Sequence, residues 1–81
     1  MRELVEYVAR SLVSEPDAVN VTETEREGVP VLELRVARAD LGRVIGKEGR
    51  TAKALRAILN AAAARKNQRV LLEIVEQEDD A

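Results

Sequence analysis

The chain has 81 residues, a formal net charge of −2, and neither cysteine nor histidine. This length allows one small domain, and the missing residue types exclude a disulfide framework, a thiolate metal site and the commonest general base. No apolar run approaches the ~20 residues that a membrane-spanning helix needs, and Met1–Arg10 lacks the apolar core of a signal peptide, so we expect a cytoplasmic protein.

The N-terminal segment is predicted to be an amphipathic helix over about Arg2–Val13, because its apolar residues recur at helical spacing. Pro16 disfavours helical backbone in the residue before it and so ends this helix. Residues 18–27 and 31–38 alternate apolar or β-branched side chains with polar ones, which is typical of strands. A turn at Glu27–Pro30 separates the two strands, so we expect them to pair as a hairpin.

The rest of the chain is predicted to hold two helices and a strand. Asp40 is a candidate N-cap for a short helix, Leu41–Ile45. A long alanine-rich helix is expected over Arg50–Lys66, followed by a strand over Val70–Val75. The side chains predicted to form the buried stripe of the long helix are Leu55, Ile58, Leu59 and Ala62. Residues 77–81 are predicted to form an acidic, disordered C-terminal tail.

This order of elements predicts the fold class. A helical crossover joins the second and third strands, which allows them to lie parallel in one sheet. We therefore predict an α+β domain of order α-β-β-α-α-β, with a three-stranded sheet and three helices on one face. The domain is expected to occupy residues 1–76.

The net charge conceals a strong segregation of sign along the chain. Residues 35–69 contain ten basic and two acidic side chains, a net charge of +8, whereas the other residues together carry −10. Such an asymmetry indicates a basic face on an otherwise acidic protein, which favours a polyanionic partner.

The most informative motif is Val44–Arg50, Val-Ile-Gly-Lys-Glu-Gly-Arg, which lies inside the basic segment and between two predicted helices. Gly46 and Gly49 can adopt positive φ and leave room for a sugar–phosphate backbone. The first N–H groups of the following helix, from about Gly49 onward, are expected to lack intrahelical partners and to attract an anion. The motif therefore predicts a phosphate-binding loop.

The same residues resemble the signature of a KH domain, Ile-Gly-x-x-Gly followed by apolar residues. The matching positions are Ile45, Gly46, Gly49, Ala52 and Leu55. A helix and a strand precede the matching core, an arrangement similar to the bacterial, type II form. In its length and its alanine-rich helix the chain most resembles the small stand-alone KhpA family. Ala52 is smaller than the aliphatic residue of many KH domains, which implies a wider or flatter groove for the bases.

This resemblance implies that the chain binds about four nucleotides of single-stranded RNA. Gly46–Gly49 would clamp the RNA backbone, an aliphatic groove would meet the bases, and nearby cations would meet the phosphates. The implied RNA-binding residues are Arg43, Val44, Ile45, Gly46, Lys47, Glu48, Gly49, Arg50, Ala52, Lys53 and Leu55. The resemblance also implies RNA chaperoning, a homodimer or a complex with a second KH protein, KhpB, and a role in cell-wall synthesis and cell shape.

Small side chains give the long helix a second face that could admit another helix. Together with the family resemblance, they lead us to expect a dimer or partner contact at Ala57, Ile58, Ala61 and Ala62. A protein–protein adapter is therefore an alternative function.

Other functions fit the residues less well. The spacing from Gly42 to Lys47 does not match a P-loop, and no Gly-x-Gly dinucleotide motif occurs. Without histidine or cysteine the carboxylates and serines have no catalytic partner, so we expect neither an enzyme nor a metal or organic cofactor. Tyr7 is the sole aromatic residue, which excludes an RRM and disfavours an OB-type reader. A helix-turn-helix DNA reader remains open, although its first helix would be short.

Overall fold

The computed structural model describes residues 1–76 and confirms the predicted α-β-β-α-α-β order. The elements are α1 (Arg2–Leu12), β1 (Asn20–Arg26), β2 (Val29–Val36), α2 (Leu41–Ile45), α3 (Arg50–Ala64) and β3 (Leu71–Glu76). Single 3₁₀ turns occur at Pro16–Ala18, Arg38–Asp40 and Lys47–Gly49. The acidic tail predicted at residues 77–81 lies outside the described residues.

The hairpin is tighter than its sequence suggested. Glu27 and Gly28 both have positive φ, at 52° and 81°, and form a two-residue turn between the paired Arg26 and Val29. Positive φ at both central positions matches the right-handed twist of the flanking strands. Pro30 was predicted to lie in the turn but instead lies inside β2, where it costs little because this end of the strand extends beyond β3.

The three strands form one mixed sheet in the order β1-β2-β3. β1 pairs antiparallel with β2, and β2 pairs parallel with β3, as expected for a helical crossover. Leu34 in the central strand lies opposite Val21 on one side and Ile74 on the other. β3 is thus an edge strand that runs back from the end of α3 toward the end of the sheet that leads to α2.

One apolar layer lies between the sheet and the helices. The strands contribute side chains of one parity, and each helix contributes one face. The core residues of the central strand and α3 are Leu32, Leu34, Val36, Leu55, Leu59 and Ala63. Val44 of α2 is 1% exposed, so the short helix is anchored in the same core that holds α3. This shared anchoring fixes the segment between the two helices.

The long helix ends in a turn that directs the chain into β3. Asn67 has φ of 54°, and its N–H donates to the carbonyl of Ala64 at 3.0 Å. The next N–H, of Gln68, donates to the carbonyl of Ala63 at 2.9 Å. This bonding pattern is a Schellman motif, in which asparagine tolerates the left-handed position. The regular helix thus ends at Ala64, two residues before the predicted Lys66, and the turn closes at the predicted Asn67–Gln68 boundary.

Candidate functional site

The segment Gly46–Gly49, which we call the glycine loop, reverses the chain between α2 and α3. Gly46 has φ 78° and ψ 170°, a region that essentially only glycine occupies, and Gly49 is left-handed at φ 74° and ψ 13°. Glu48 between them is also left-handed, with φ 58°. Lys47 to Gly49 make a single 3₁₀ turn, so the loop is a defined backbone shape in which three of its four residues have positive φ.

The two glycines are required for different reasons. A Cβ added at Gly46 would lie 2.3 Å from Thr51 Oγ1 and 2.8 Å from the Thr51 backbone nitrogen, so any other residue would collide with the start of α3. A Cβ at Gly49 would meet nothing within 4 Å. Gly46 therefore allows the loop to pack against α3, whereas Gly49 supplies only its left-handed conformation.

The open N–H groups are not those expected from the sequence. Gly49 donates to the carbonyl of Gly46 at 3.1 Å, and Arg50 donates to that of Lys47. The expectation that N–H groups from Gly49 onward are open is therefore wrong for these two residues, because the 3₁₀ turn uses them. Within residues 1–76, the N–H groups of Lys47 and Glu48 have no acceptor. An anion approaching the loop would meet these two donors at its tip.

Charged side chains surround the glycine loop and are largely exposed. Lys47 and Lys53 form no ion pair with a carboxylate of residues 1–76. Arg50 is 75% exposed and lies 3.8 Å from Glu48, which itself faces solvent as predicted. Arg43 is 61% exposed and lies 3.4 Å from Asp40. The Arg50–Glu48 pair is long and exposed on both sides and is therefore weak, so Arg50 can turn toward a phosphate. The Asp40 side chain is 1% exposed, so the Arg43 pair is screened less by solvent.

Of the four apolar residues predicted to form the groove, three are buried and one is partly exposed to solvent. Val44, Ala52 and Leu55 are at most 4% exposed and lie in the interior behind the loop. Ile45 is 39% exposed and is the one apolar side chain of this set that a base could contact extensively. The structure thus brings all four residues to the same end of α3 but presents mainly Ile45 to solvent.

Sequence reasoning missed the role of Asp40, which is fully buried. Its carboxylate accepts hydrogen bonds from the Ser14 hydroxyl at 2.9 Å, the Ser14 N–H at 3.0 Å and the Glu15 N–H at 3.1 Å. Asp40 occupies the N-cap position of α2, as predicted, but its side chain makes no cap bond to that helix. Both oxygens are instead occupied by the segment after α1. Asp40 therefore ties the N-terminal helix to the start of the helix that leads into the loop.

This tie gives a prediction for stability and its pH dependence. The Ser14 N–H bond, helped by the Ser14 hydroxyl and the Glu15 N–H, lowers the pKa of Asp40 despite its burial. A carboxyl with a depressed folded-state pKa stabilises the protein above its unfolded value of about 4, and this stabilisation is lost as the pH falls through the folded-state pKa. We expect Asp40→Asn to lower Tm at pH 7 by about 10 °C.

Thermal unfolding followed by circular dichroism between pH 7 and pH 2.5 checks this prediction. The Tm difference between wild type and Asp40→Asn should shrink toward the acidic end. Asp17→Asn is the matched control, since Asp17 is an exposed carboxylate close in sequence that takes no part in this tie. Equal Tm values for wild type and Asp40→Asn at pH 7 would show that the buried carboxylate contributes nothing.

The face of α3 that was predicted to contact a partner is exposed. One of its residues was also predicted to lie in the core, and that prediction is wrong. Ile58 was expected in the buried stripe but is 50% exposed. The buried side chains of α3 are Ala52, Leu55, Leu59 and Ala63, which form one narrow line on the helix. Ile58 lies to one side of that line and so remains outside the core. Ala57 and Ala61 are also exposed, and Ala62 is half-buried.

Residues 1–76 hold neither a candidate metal site nor a membrane-spanning helix. No group of three or more acidic, histidine or cysteine side chains there is placed to hold a metal ion. In the same range, no helix has both the length and the apolar character needed to cross a membrane.

Comparison with known proteins identifies the family to which this chain belongs. The model of the family described as "KhpA/KhpB, KH domain" matches residues 2–74. RNA-binding protein KhpA of Clostridium acetobutylicum is 51% identical over 75 residues, which are 93% of this chain and all of the relative. The proteins of the same name from Aquifex aeolicus and Treponema pallidum are 51% and 50% identical, over 94% and 91% of this chain and 96% and 92% of their own lengths. No solved structure matches the chain. The chain belongs to the KhpA/KhpB family of KH domains.

Proposed function

We propose that this protein binds single-stranded RNA and clamps the RNA backbone with the glycine loop. One observation carries the proposal: the loop combines a side-chain-free surface at Gly46 and Gly49, two open N–H groups, and exposed cations on both sides. These are the features that let a phosphate approach backbone closely and be held there. The names of the similar proteins, RNA-binding protein KhpA, support RNA as the polyanion.

The proposed roles follow from where each side chain lies. The N–H groups of Lys47 and Glu48 would donate to a phosphate oxygen at the loop tip. The exposed cations would neutralise that phosphate and its neighbours, with Lys47 the closest to the tip. The proposed phosphate partners are Arg43, Lys47, Arg50 and Lys53. Ile45 would contact a base, while Val44, Ala52 and Leu55 support the loop from behind.

This arrangement should hold RNA with little preference for sequence. The one aromatic side chain, Tyr7, lies on α1 and not in the loop or its flanking helices, so bases near the loop have no aromatic ring on which to stack. The available interactions are backbone donors, point charges and one partly exposed aliphatic side chain. Most of the binding free energy would then come from the phosphates and would depend on salt.

A titration with labelled single-stranded RNA tests the proposal. If about four phosphates are contacted, log Kd plotted against log salt should have a slope of roughly 3, at ~0.7 per phosphate. Unlabelled single-stranded RNA should compete more strongly than duplex DNA of equal length. A slope near zero would contradict backbone clamping, and stronger competition by duplex DNA would favour the helix-turn-helix alternative.

We further propose that the protein acts as an RNA chaperone in the cytoplasm and not as an enzyme. We also propose a homodimer or a complex with KhpB, and a role in cell-wall synthesis and cell shape, as the resemblance to the KhpA family implies. The exposed Ile58 and its small neighbours Ala57, Ala61 and Ala62 offer a surface for such a contact. Sedimentation that shows only monomer would count against self-association.

A single core joining α1, the sheet and α3 supports residues 1–76 as one KH domain.

A further inference from the structure

One cation beside the glycine loop is held by a buried carboxylate. The guanidinium of Arg43 approaches Asp40 through its Nε, which lies 3.4 Å from Oδ1, and the Asp40 side chain is 1% exposed. Asp40 is the N-cap of α2 and Arg43 lies three residues later, so the two side chains share one side of this short helix. Arg43 pairs with no other carboxylate of residues 1–76.

The carboxylate that Arg43 contacts has a fixed orientation. Its Oδ1 accepts from the hydroxyl and the N–H of Ser14, and its Oδ2 accepts from the N–H of Glu15. These donors belong to the segment after α1, a helix whose buried face packs in the core. Because the carboxylate is buried, its attraction for the guanidinium is screened less than that of an exposed carboxylate. The ion pair therefore restricts the conformations of Arg43.

The other cations near the glycine loop are not held in this way. Lys47 and Lys53 form no ion pair with a carboxylate of residues 1–76, and Arg50 has only its long, exposed pair with Glu48. Each of these side chains would lose rotamer freedom on binding a phosphate, which reduces the net binding free energy. Arg43 has lost part of that freedom already in the free protein.

We propose that Asp40 is a positioning residue for RNA binding, which orients the Arg43 guanidinium so that its two Nη groups meet one RNA phosphate as a fork. This role depends on the proposed RNA-binding function. Since the Nε faces Asp40, both Nη groups remain to donate to two phosphate oxygens. Charge alone predicts the opposite effect of this carboxylate, because removing a negative charge beside a site for a polyanion strengthens binding. The two accounts give opposite signs for Asp40→Asn.

A double-mutant cycle on Asp40 and Arg43 tests this role in the full chain. Binding of a labelled single-stranded RNA of mixed sequence is measured by fluorescence anisotropy, at a temperature where circular dichroism shows every variant folded. We expect Arg43→Gln to weaken binding about tenfold, through loss of a charge-assisted phosphate contact. Asp40→Asn should weaken it about fivefold, the size expected for ordering one long side chain. In the Arg43→Gln background, Asp40→Asn should change binding by less than about twofold.

Two further variants separate positioning from stability and from net charge. Arg43→Lys leaves the buried carboxylate and its hydrogen bonds intact and keeps the positive charge, but it lacks the planar fork. It should therefore bind about fivefold more weakly than wild type. Asp17→Asn makes the same charge change as Asp40→Asn at an exposed carboxylate outside the site, and it should bind within about twofold of wild type.

Wild-type or tighter RNA binding by the folded Asp40→Asn variant would overturn the positioning role. Equal weakening by Asp40→Asn in the wild-type and Arg43→Gln backgrounds would also overturn it, because the carboxylate would then act through the fold alone. Wild-type binding by Arg43→Lys would do the same, since a point charge would then suffice. The proposed RNA-binding function fails separately, if variants at Lys47 and Glu48 bind RNA as wild type does.

Discussion

We expect Gly46→Ala to destabilise the protein by about 3 kcal/mol or more, which for a domain of this size lowers Tm by at least about 12 °C. The backbone at Gly46 lies in a region essentially closed to other residues, and this alone costs on the order of 1–3 kcal/mol. The added Cβ would also collide with both the side chain and the backbone nitrogen of Thr51. Relief requires α3 to move away from the loop, which would disturb its packing on the sheet.

The other glycines near the loop provide graded controls. Gly49→Ala meets no neighbour and should cost only about 1 kcal/mol for its left-handed conformation. Gly42→Ala also meets no neighbour, has an ordinary φ and lies within α2, so it should be neutral or stabilise the protein by up to ~1 kcal/mol. Thermal or urea unfolding ranks the three variants by their free energy of unfolding. A Gly46→Ala variant no less stable than Gly49→Ala would refute the contact with Thr51.

Local patterns in the sequence were enough to predict most of the fold. The 3.6-residue period of α1 and α3, the alternation in β2 and the turn at Gly28 are all signals within a few neighbouring residues. The parallel pairing of β2 with β3 followed from the helical crossover between them. The position of the glycine loop between two helices was also predicted, because Gly46 and Gly49 interrupt an otherwise helical pattern.

Features that depend on contacts between distant segments were not predicted. The bond from Ser14 to Asp40 joins residues 26 positions apart, and no local pattern shows that this N-cap residue bonds a distant segment instead of its own helix. Ile58 is apolar and close in sequence to core residues, yet α3 packs along a line too narrow to include it. The open N–H groups belong to Lys47 and Glu48 because a 3₁₀ turn uses those of Gly49 and Arg50. Residue types alone do not specify this turn.

The second large effect is expected at the tip of the loop. Replacing Lys47 and Glu48 together by aspartate removes the cation closest to the two open N–H groups and places an additional carboxylate beside them. Repulsion from the RNA phosphates should weaken binding at least tenfold, about 1.4 kcal/mol, and reduce the salt slope by ~0.7 or more. The fold should be retained, since both side chains are exposed and aspartate tolerates the left-handed backbone at position 48 better than glutamate.

Single-stranded RNA binding by wild type and by the Lys47→Asp, Glu48→Asp variant is the most direct test of the glycine loop as an RNA backbone clamp. Circular dichroism verifies that both proteins are folded, and Arg10→Asp on α1 controls for the change in net charge. We predict that wild type and the Arg10→Asp control bind with similar affinity and that the double variant loses binding. Equal RNA binding by the folded double variant and wild type would contradict the clamp and leave the protein–protein adapter as the better account.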